Sequence, residues 1–170
     1  DWIASIDETA AGLNQLVQEG KIRSAGVSNY TSSQFAALSS RMDQPLVTNQ
    51  VEFNPFHMEP IMDGVFDQCQ EKRVRPMAWS PMAGGRIFDT EDAAAGRLRV
   101  ACAEMSARYG GASIDQLVLA WIMAHPSHPV PVLGTAKAAR VRAAAGAPQW
   151  VLSQEDWYGL WEAARGHRIP

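Results

Sequence analysis

Residues 22–35 read Ile22-Arg23-Ser24-Ala25-Gly26-Val27-Ser28-Asn29-Tyr30-Thr31-Ser32-Ser33-Gln34-Phe35. A short stretch, 22–27, runs into the polar pair Ser28-Asn29, and Thr31 then stands where a helix N-cap belongs, ahead of the apolar spacing Phe35, Leu38, Met42. The segment therefore reads strand, loop, helix. Before it, Ile6, Ala10, Leu13, Leu16 and Val17 recur at helical spacing, and Gly20 closes that first helix.

The same order repeats downstream. Residues 46–53 read as a strand carrying the polar Asn49, Gln50 and Glu52, residues 61–73 as a helix, and residues 74–80 as a third strand. A long connection, 81–96, leads to helices over 98–109 and 114–124, the second capped by Ser113. Residues 130–133 form the fourth strand, a helix follows over about 136–145 with Thr135 as its cap, and Ser153 opens a final helix with capping-box spacing.

Strands alternating with helices imply parallel pairing with helices covering the sheet. Four such strands suit half of a (β/α)8 barrel or a small doubly wound sheet. A dinucleotide-binding doubly wound half would show GxGxxG after its first strand, where this chain has Gly26-Val27-Ser28-Asn29, and there is no GxxxxGK[ST] loop. Each strand instead ends in polar groups, as barrel strands do where they build a site. The expected fold is α/β, of the (β/α)8 TIM-barrel family. The 170 residues cover about half of it, four βα units plus a C-terminal helix, against roughly 250 for a full barrel.

Composition narrows the function classes. With 46% hydrophobic and 19% charged residues, and Gly and Pro scattered rather than periodic, the chain is neither disordered, collagenous nor a coiled coil. Fifteen Lys plus Arg against 18 Asp plus Glu leave a net charge of −3, which offers no general footprint for nucleic acid or a membrane surface. Cys69 and Cys102 form no CxxC and no metal-ligand spacing, so neither a metal site nor a disulfide framework is expected. Asp1, Asp7 and Glu8 around Trp2-Ile3-Ala4 do not read as a signal peptide, and no apolar run reaches the ~20 residues of a membrane span. A soluble, cytoplasmic protein is expected.

The strand ends supply the candidate site. Ser28, Asn29 and Gln50 offer a hydroxyl and two amides that suit a neutral ligand with both donors and acceptors, such as a carboxamide, or else bond the barrel rim. Trp79 offers a flat indole for stacking, or for the core. Ser80-Pro81-Met82-Ala83-Gly84-Gly85-Arg86 combines a hydroxyl, two glycines and a guanidinium, which suits a pyrophosphate. In Gly134-Thr135-Ala136-Lys137 with Arg140, two cations gather at a helix N-terminus, where the macrodipole disfavours them unless an anion compensates. His57, His125, His128 and His167 have no evident acid or nucleophile partner and read as surface residues.

In order and spacing, Gly26-Val27-Ser28-Asn29, Asn49-Gln50-Val51-Glu52, Ala78-Trp79-Ser80-Pro81-Met82-Ala83-Gly84-Gly85, and Gly134-Thr135 with Lys137 and Arg140 resemble the successive signature segments of the aldo-keto reductases. Arg75-Pro76-Met77-Ala78-Trp79-Ser80 resembles a bacterial YdhF-type subgroup with tryptophan at the stacking position. The resemblance implies a barrel reductase of aldehydes or ketones that uses a nicotinamide cofactor. It places Ser28, Asn29 and Gln50 on the carboxamide and Trp79 on the nicotinamide ring. Ser80, Met82, Gly84 and Arg86 would lie along the pyrophosphate, and Gly134, Thr135, Lys137 and Arg140 around the ribose phosphate, which favours NADPH. The family's catalytic Asp, Tyr, Lys and His lie on its first four strands, and Tyr30, Tyr109 and Tyr158 match none of its motifs. The implied unit over 1–170 is thus the C-terminal half of a reductase barrel, with no catalytic residue and no turnover by itself. Its expected partners are a carbonyl substrate once completed and either a missing N-terminal half or a second copy. Nucleic acid and membrane are not expected partners. The alternative is a non-catalytic dinucleotide-binding or self-pairing half-barrel.

Overall fold

The computed structural model describes residues 3–169; Asp1, Trp2 and Pro170, which include the first residues of the stretch weighed as a signal peptide, lie outside them. Helix α1 (Ile6–Gln18) starts where Ser5 Oγ accepts from the Glu8 N–H at 3.3 Å, and Gly20, at φ 69°, turns the chain out of it. There follow β1 (Val27–Ser28), α2 (Ser32–Ser39), β2 (Asn49–Glu52), α3 (Glu59–Met62), α4 (Val65–Lys72) and β3 (Met77–Trp79). A 3-10 segment over Ala83–Phe88 precedes α5 (Ala93–Ser106), α6 (Ile114–Met123), β4 (Val130–Pro131), α7 (Ala138–Ala145) and α8 (Gln154–Arg165).

All three strand pairings are parallel and the sheet order is β1-β2-β3-β4, the order of successive βα units in a barrel. The register sets Ser28 beside Gln50 and Glu52 beside Trp79, so the polar strand ends meet at one end of the sheet. Strands β1 and β4 are its outer members, and Val130 and Leu133 on the β4 side remain 38% and 37% exposed.

Several elements depart from the sequence reading. The first strand is only two residues long because 22–24 turn out of α1, with the Ile22 N–H bonded back to the Leu16 carbonyl. The helix expected over 61–73 is broken at Gly64, whose φ of 82° follows an Asp63 side chain that accepts from the Val65 N–H at 3.0 Å. Helix α5 begins at Ala93, five residues early, because Asp92 caps it by accepting from the Ala95 N–H at 2.9 Å. Thr135 does not cap α7. Lys137 is the N-cap residue, and Thr135 Oγ1 accepts from the Lys137 N–H at 3.2 Å, so only Arg140 lies in the first turn.

The core centres on α6, in which Leu117, Val118, Leu119, Ala120, Trp121 and Ile122 are all buried, so the helix is apolar all round. Trp121 stacks on Phe53 at 5.1 Å and on Trp157 of α8 at 4.9 Å. The two indoles also exchange hydrogen bonds, each Nε1–H donating to the other's carbonyl at 2.9 Å, so both buried polar tips are satisfied. This packing ties α8 through α6 to Phe53, the residue that follows β2. A second cluster of Ala10, Ala25, Phe35, Leu38 and Leu46 anchors α1 and α2 near β1.

Candidate functional site

The loop after β1 is held by a fully buried amide. Asn49 Nδ2 donates to the Tyr30 carbonyl at 2.8 Å while its Oδ1 accepts from the Tyr30 N–H at 3.3 Å, so one side chain fixes both backbone groups. Asn29, just before, takes φ 56°, a left-handed conformation that asparagine tolerates. Thr31 and Gln34 close a capping box that starts α2.

Four predicted residues from three neighbouring strands are linked directly. Ser28 Oγ and the Asn29 N–H both donate to the Gln50 carbonyl, at 3.0 and 2.9 Å. Trp79 Nε1–H donates to Asn29 Oδ1 at 2.9 Å. Indole nitrogen is only a donor, so this bond fixes which way round the Asn29 amide sits and leaves its Nδ2 to donate elsewhere. Gln50 Nε2 meets only the weak acceptor Met77 Sδ, at 3.9 Å, and keeps donor capacity.

The loop after β3 is shaped by a second fully buried amide, Asn54, that the sequence reading missed. Its Nδ2 donates to the Ser80 carbonyl at 3.1 Å and to Glu52 Oε1 at 3.2 Å, and its Oδ1 accepts from the Phe56 N–H at 3.0 Å. Ser80 and Ala83 take φ of 48° and 49°, and Gly84 and Gly85 take 64° and 98°. A Cβ on either glycine would meet nothing within 4 Å, so the space over this loop is open. Met82 packs against the core below. Arg86 is engaged away from the loop, since its Nε donates to Asp92 Oδ2 at 2.6 Å and its guanidinium lies 4.3 Å over the Phe56 ring. The Arg86 bond holds the Asp92 carboxyl below the usual carboxylate range.

At the end of β4, Gly134 is exposed and a Cβ there would also meet open space. Lys137 and Arg140 are exposed with no carboxylate partner among the described residues. These residues form a group of their own, with no direct bond to the Ser28–Trp79 group.

Two histidines are not plain surface residues. His57 Nδ1 lies 3.2 Å from Glu59 Oε2 and 3.9 Å from Glu52 Oε2, in a cavity of about 270 Å³ that Asn29 and Trp79 also line. His125 packs 4.8 Å from the Phe66 ring with its Nδ1 2.9 Å from Ser127 Oγ, and desolvation lowers its pKa. Both thiols are buried, and desolvation raises Cys69 to about 11 and Cys102 to about 12, which keeps them unreactive. Among the described residues no group of three His, Cys, Asp or Glu could hold a metal ion, and no helix is long and apolar enough to cross a membrane.

Parallel βα units in the strand order of a (β/α)8 barrel, with polar strand ends, an indole at one of them and a glycine loop beside it, set the class of fold. The chain belongs to the aldo/keto reductase family, whose model matches residues 1–164. It is 42% identical over 170 residues to the oxidoreductase YdhF of Escherichia coli and 36% identical over 170 to a 6-dehydroglucose reductase of Novosphingobium aromaticivorans, each match covering all of this chain and 56% of the relative. The crystal structure of the thermostable aldo-keto reductase Tm1743 with the inhibitor epalrestat superposes with a TM-score of 0.78 at 28% identity, over 94% of this chain and 55% of that one. The chain thus spans a little over half the length of the relatives it matches.

Proposed function

We propose that the chain is the cofactor-holding half of an NADPH-dependent carbonyl oxidoreductase. The observation that carries this reading is the bonded set Ser28, Asn29, Gln50 and Trp79 at adjacent strand ends. Its free chemistry is complementary to a carboxamide. Asn29 Nδ2 and Gln50 Nε2 donate to the amide oxygen, the Ser28 oxygen accepts from the amide nitrogen, and Trp79 offers its face to the ring. The open left-handed loop at Gly84-Gly85 admits a pyrophosphate against the backbone, with Ser80 and Met82 beside it. Gly134, Thr135, Lys137 and Arg140 hold the ribose phosphate, and Arg86 reaches the pyrophosphate only by exchanging Asp92 for it. When bound, the reduced cofactor supplies a hydride to the carbonyl carbon. This chain holds the donor; the proton comes from residues supplied by the other half of the barrel. Tyr109 is committed to Asp156 and Ser153, and Tyr30 packs against the α1–α2 cluster. The dehydroglucose reductase among the relatives supports a carbonyl-bearing substrate, and a cytoplasmic location belongs to the same reading.

The test joins the part of the E. coli relative that precedes its matched region to this chain and follows NADPH oxidation with short aldehydes. The joined protein oxidises NADPH, and Gln50→Ala lowers kcat/KM by about tenfold, one lost hydrogen bond to the carboxamide. The chain alone binds cofactor and shows no turnover. Binding without oxidation in the joined protein would favour a non-catalytic dinucleotide module, and no binding at all would overturn both readings.

A further inference from the structure

A second cavity, of about 590 Å³, opens between α5, α8 and the segment after β2, and none of the residues at the β1 or β4 strand ends lines it. Its walls are apolar: Phe56, Met58 and Trp161, the last two 9% and 7% exposed. Three guanidiniums also line it, those of Arg86, Arg97 and Arg165, against a single carboxylate, Glu59. In a chain of net charge −3 this is a local reversal of sign. Asp92 pairs with Arg86 from outside the lining, and Glu59 alone cannot balance the remaining Arg97 and Arg165.

Each arginine retains donors. Arg97 spends Nε and one Nη on the carbonyls of Ala163 and Ala164, at 3.0 and 3.3 Å, and so caps the end of α8. That role is structural, but it leaves part of a five-donor fork unused and the charge unpaired by any carboxylate. Arg86 spends Nε on Asp92 and lies over the Phe56 ring. Arg165 has no carboxylate partner among the described residues. The α8 C-terminus contributes only about half a negative charge, too little to balance the two arginines near it.

We infer that this cavity binds an organic carboxylate with an aromatic or medium-length apolar body. The guanidinium fork matches a carboxylate in two parallel hydrogen bonds, and Phe56, Met58 and Trp161 bury the remainder. The volume is that of an ordinary small-molecule site. A bare phosphate would use the cations and leave the apolar walls wet. The inference does not depend on the cofactor reading, since the two sites share only Arg86.

Calorimetric titration of the full chain with 2-naphthoate, its neutral analogue 2-naphthalenemethanol and inorganic phosphate tests it. Naphthoate binds, the alcohol and phosphate bind at least about tenfold more weakly, and Arg165→Gln weakens naphthoate by about five- to tenfold. Arg165→Gln leaves NADPH affinity unchanged and lowers the thermal midpoint only slightly, by the lost charge in the last turn of α8, which separates this site from the strand ends and from loss of fold. No naphthoate binding, equal binding of the alcohol, phosphate as tight as naphthoate, or undiminished binding in Arg165→Gln would each overturn the inference.

Discussion

The Trp79 indole N–H donates to Asn29 Oδ1 across 2.9 Å, tying the end of β3 to the end of β1 over the intervening strand. One bond thereby sets two things, the tilt of the indole plane and the orientation of the Asn29 amide. Trp79→Phe keeps an aromatic face and removes the donor, so the amide is free to turn its oxygen toward the cofactor. In the joined protein the NADPH dissociation constant rises about five- to tenfold, the worth of roughly one neutral hydrogen bond. An unchanged constant, read by fluorescence titration, would reduce Trp79 to a stacking surface.

Asn49 carries a comparable weight for the fold. Asn49→Leu removes both partners of the Tyr30 backbone and leaves a half-buried N–H and C=O unpaired. The expected loss is about 2–4 kcal/mol in urea unfolding, since each orphaned group costs about 1–3 kcal/mol. Because the same bonds hold the Ser28-Asn29 corner, cofactor affinity falls as well. Stability lost without any change in affinity would show that the corner is held by the Gln50 carbonyl alone.

What the sequence made legible, and what it hid, follows from how local each signal is. The strand-end residues Ser28, Asn29, Gln50 and Trp79 lie where the sequence places them because parallel βα order and barrel polarity are set by elements the periodicity reveals. Thr31 and Ser153 are legible as caps for the same reason. Long-range partners are not. The Asp92 cap is hidden inside the long connection 81–96, and Asn54 finds its acceptor at Ser80, 26 residues away. His57 looks isolated in the sequence because Glu59, though near along the chain, meets it only through the turn after β2. The capping box expected at Ser153 is half formed for a similar reason. The Ser153 N–H donates to the Tyr109 hydroxyl at 3.1 Å, and Asp156 is claimed by Tyr109 and Arg108, both from 47 or more residues upstream.

That Asp156 carboxylate gives the fold a pH dependence. Burial raises its pKa, but hydrogen bonds from Tyr109, Ser153 and Arg108 outweigh this and hold it below the usual aspartate value. A depressed folded-state pKa means that the unfolded state takes up the proton first, so the contribution is complete above about pH 4 and is lost as pH falls through the folded-state value. Tyr109→Phe removes one of those bonds and leaves the Ser153 N–H without its acceptor. Its stability deficit relative to the parent shrinks as the pH falls below about 4, measured by denaturant unfolding at each pH. A deficit constant with pH would mean that Tyr109 acts by packing alone.

Arg140 lies at the third position of α7, a cation near a helix N-terminus, with Lys137 just outside as the cap residue. A cation there opposes the macrodipole by about 0.3–1 kcal/mol, and alanine is the better helix former. Arg140→Ala should therefore leave the thermal midpoint unchanged or slightly raised. A nicotinamide cofactor bearing a 2′-phosphate brings roughly −1.5 to −2 charges near this turn, by analogy with other phosphomonoesters. Charge-assisted hydrogen bonds of this kind are worth about 1.5–3 kcal/mol, so NADPH affinity falls by roughly 10- to 150-fold in the joined protein. NADH lacks the phosphate, and its affinity changes little. Paired fluorescence titrations of the two cofactors decide the matter, since equal losses would assign Arg140 to the fold and a stability loss would contradict the helix argument as well.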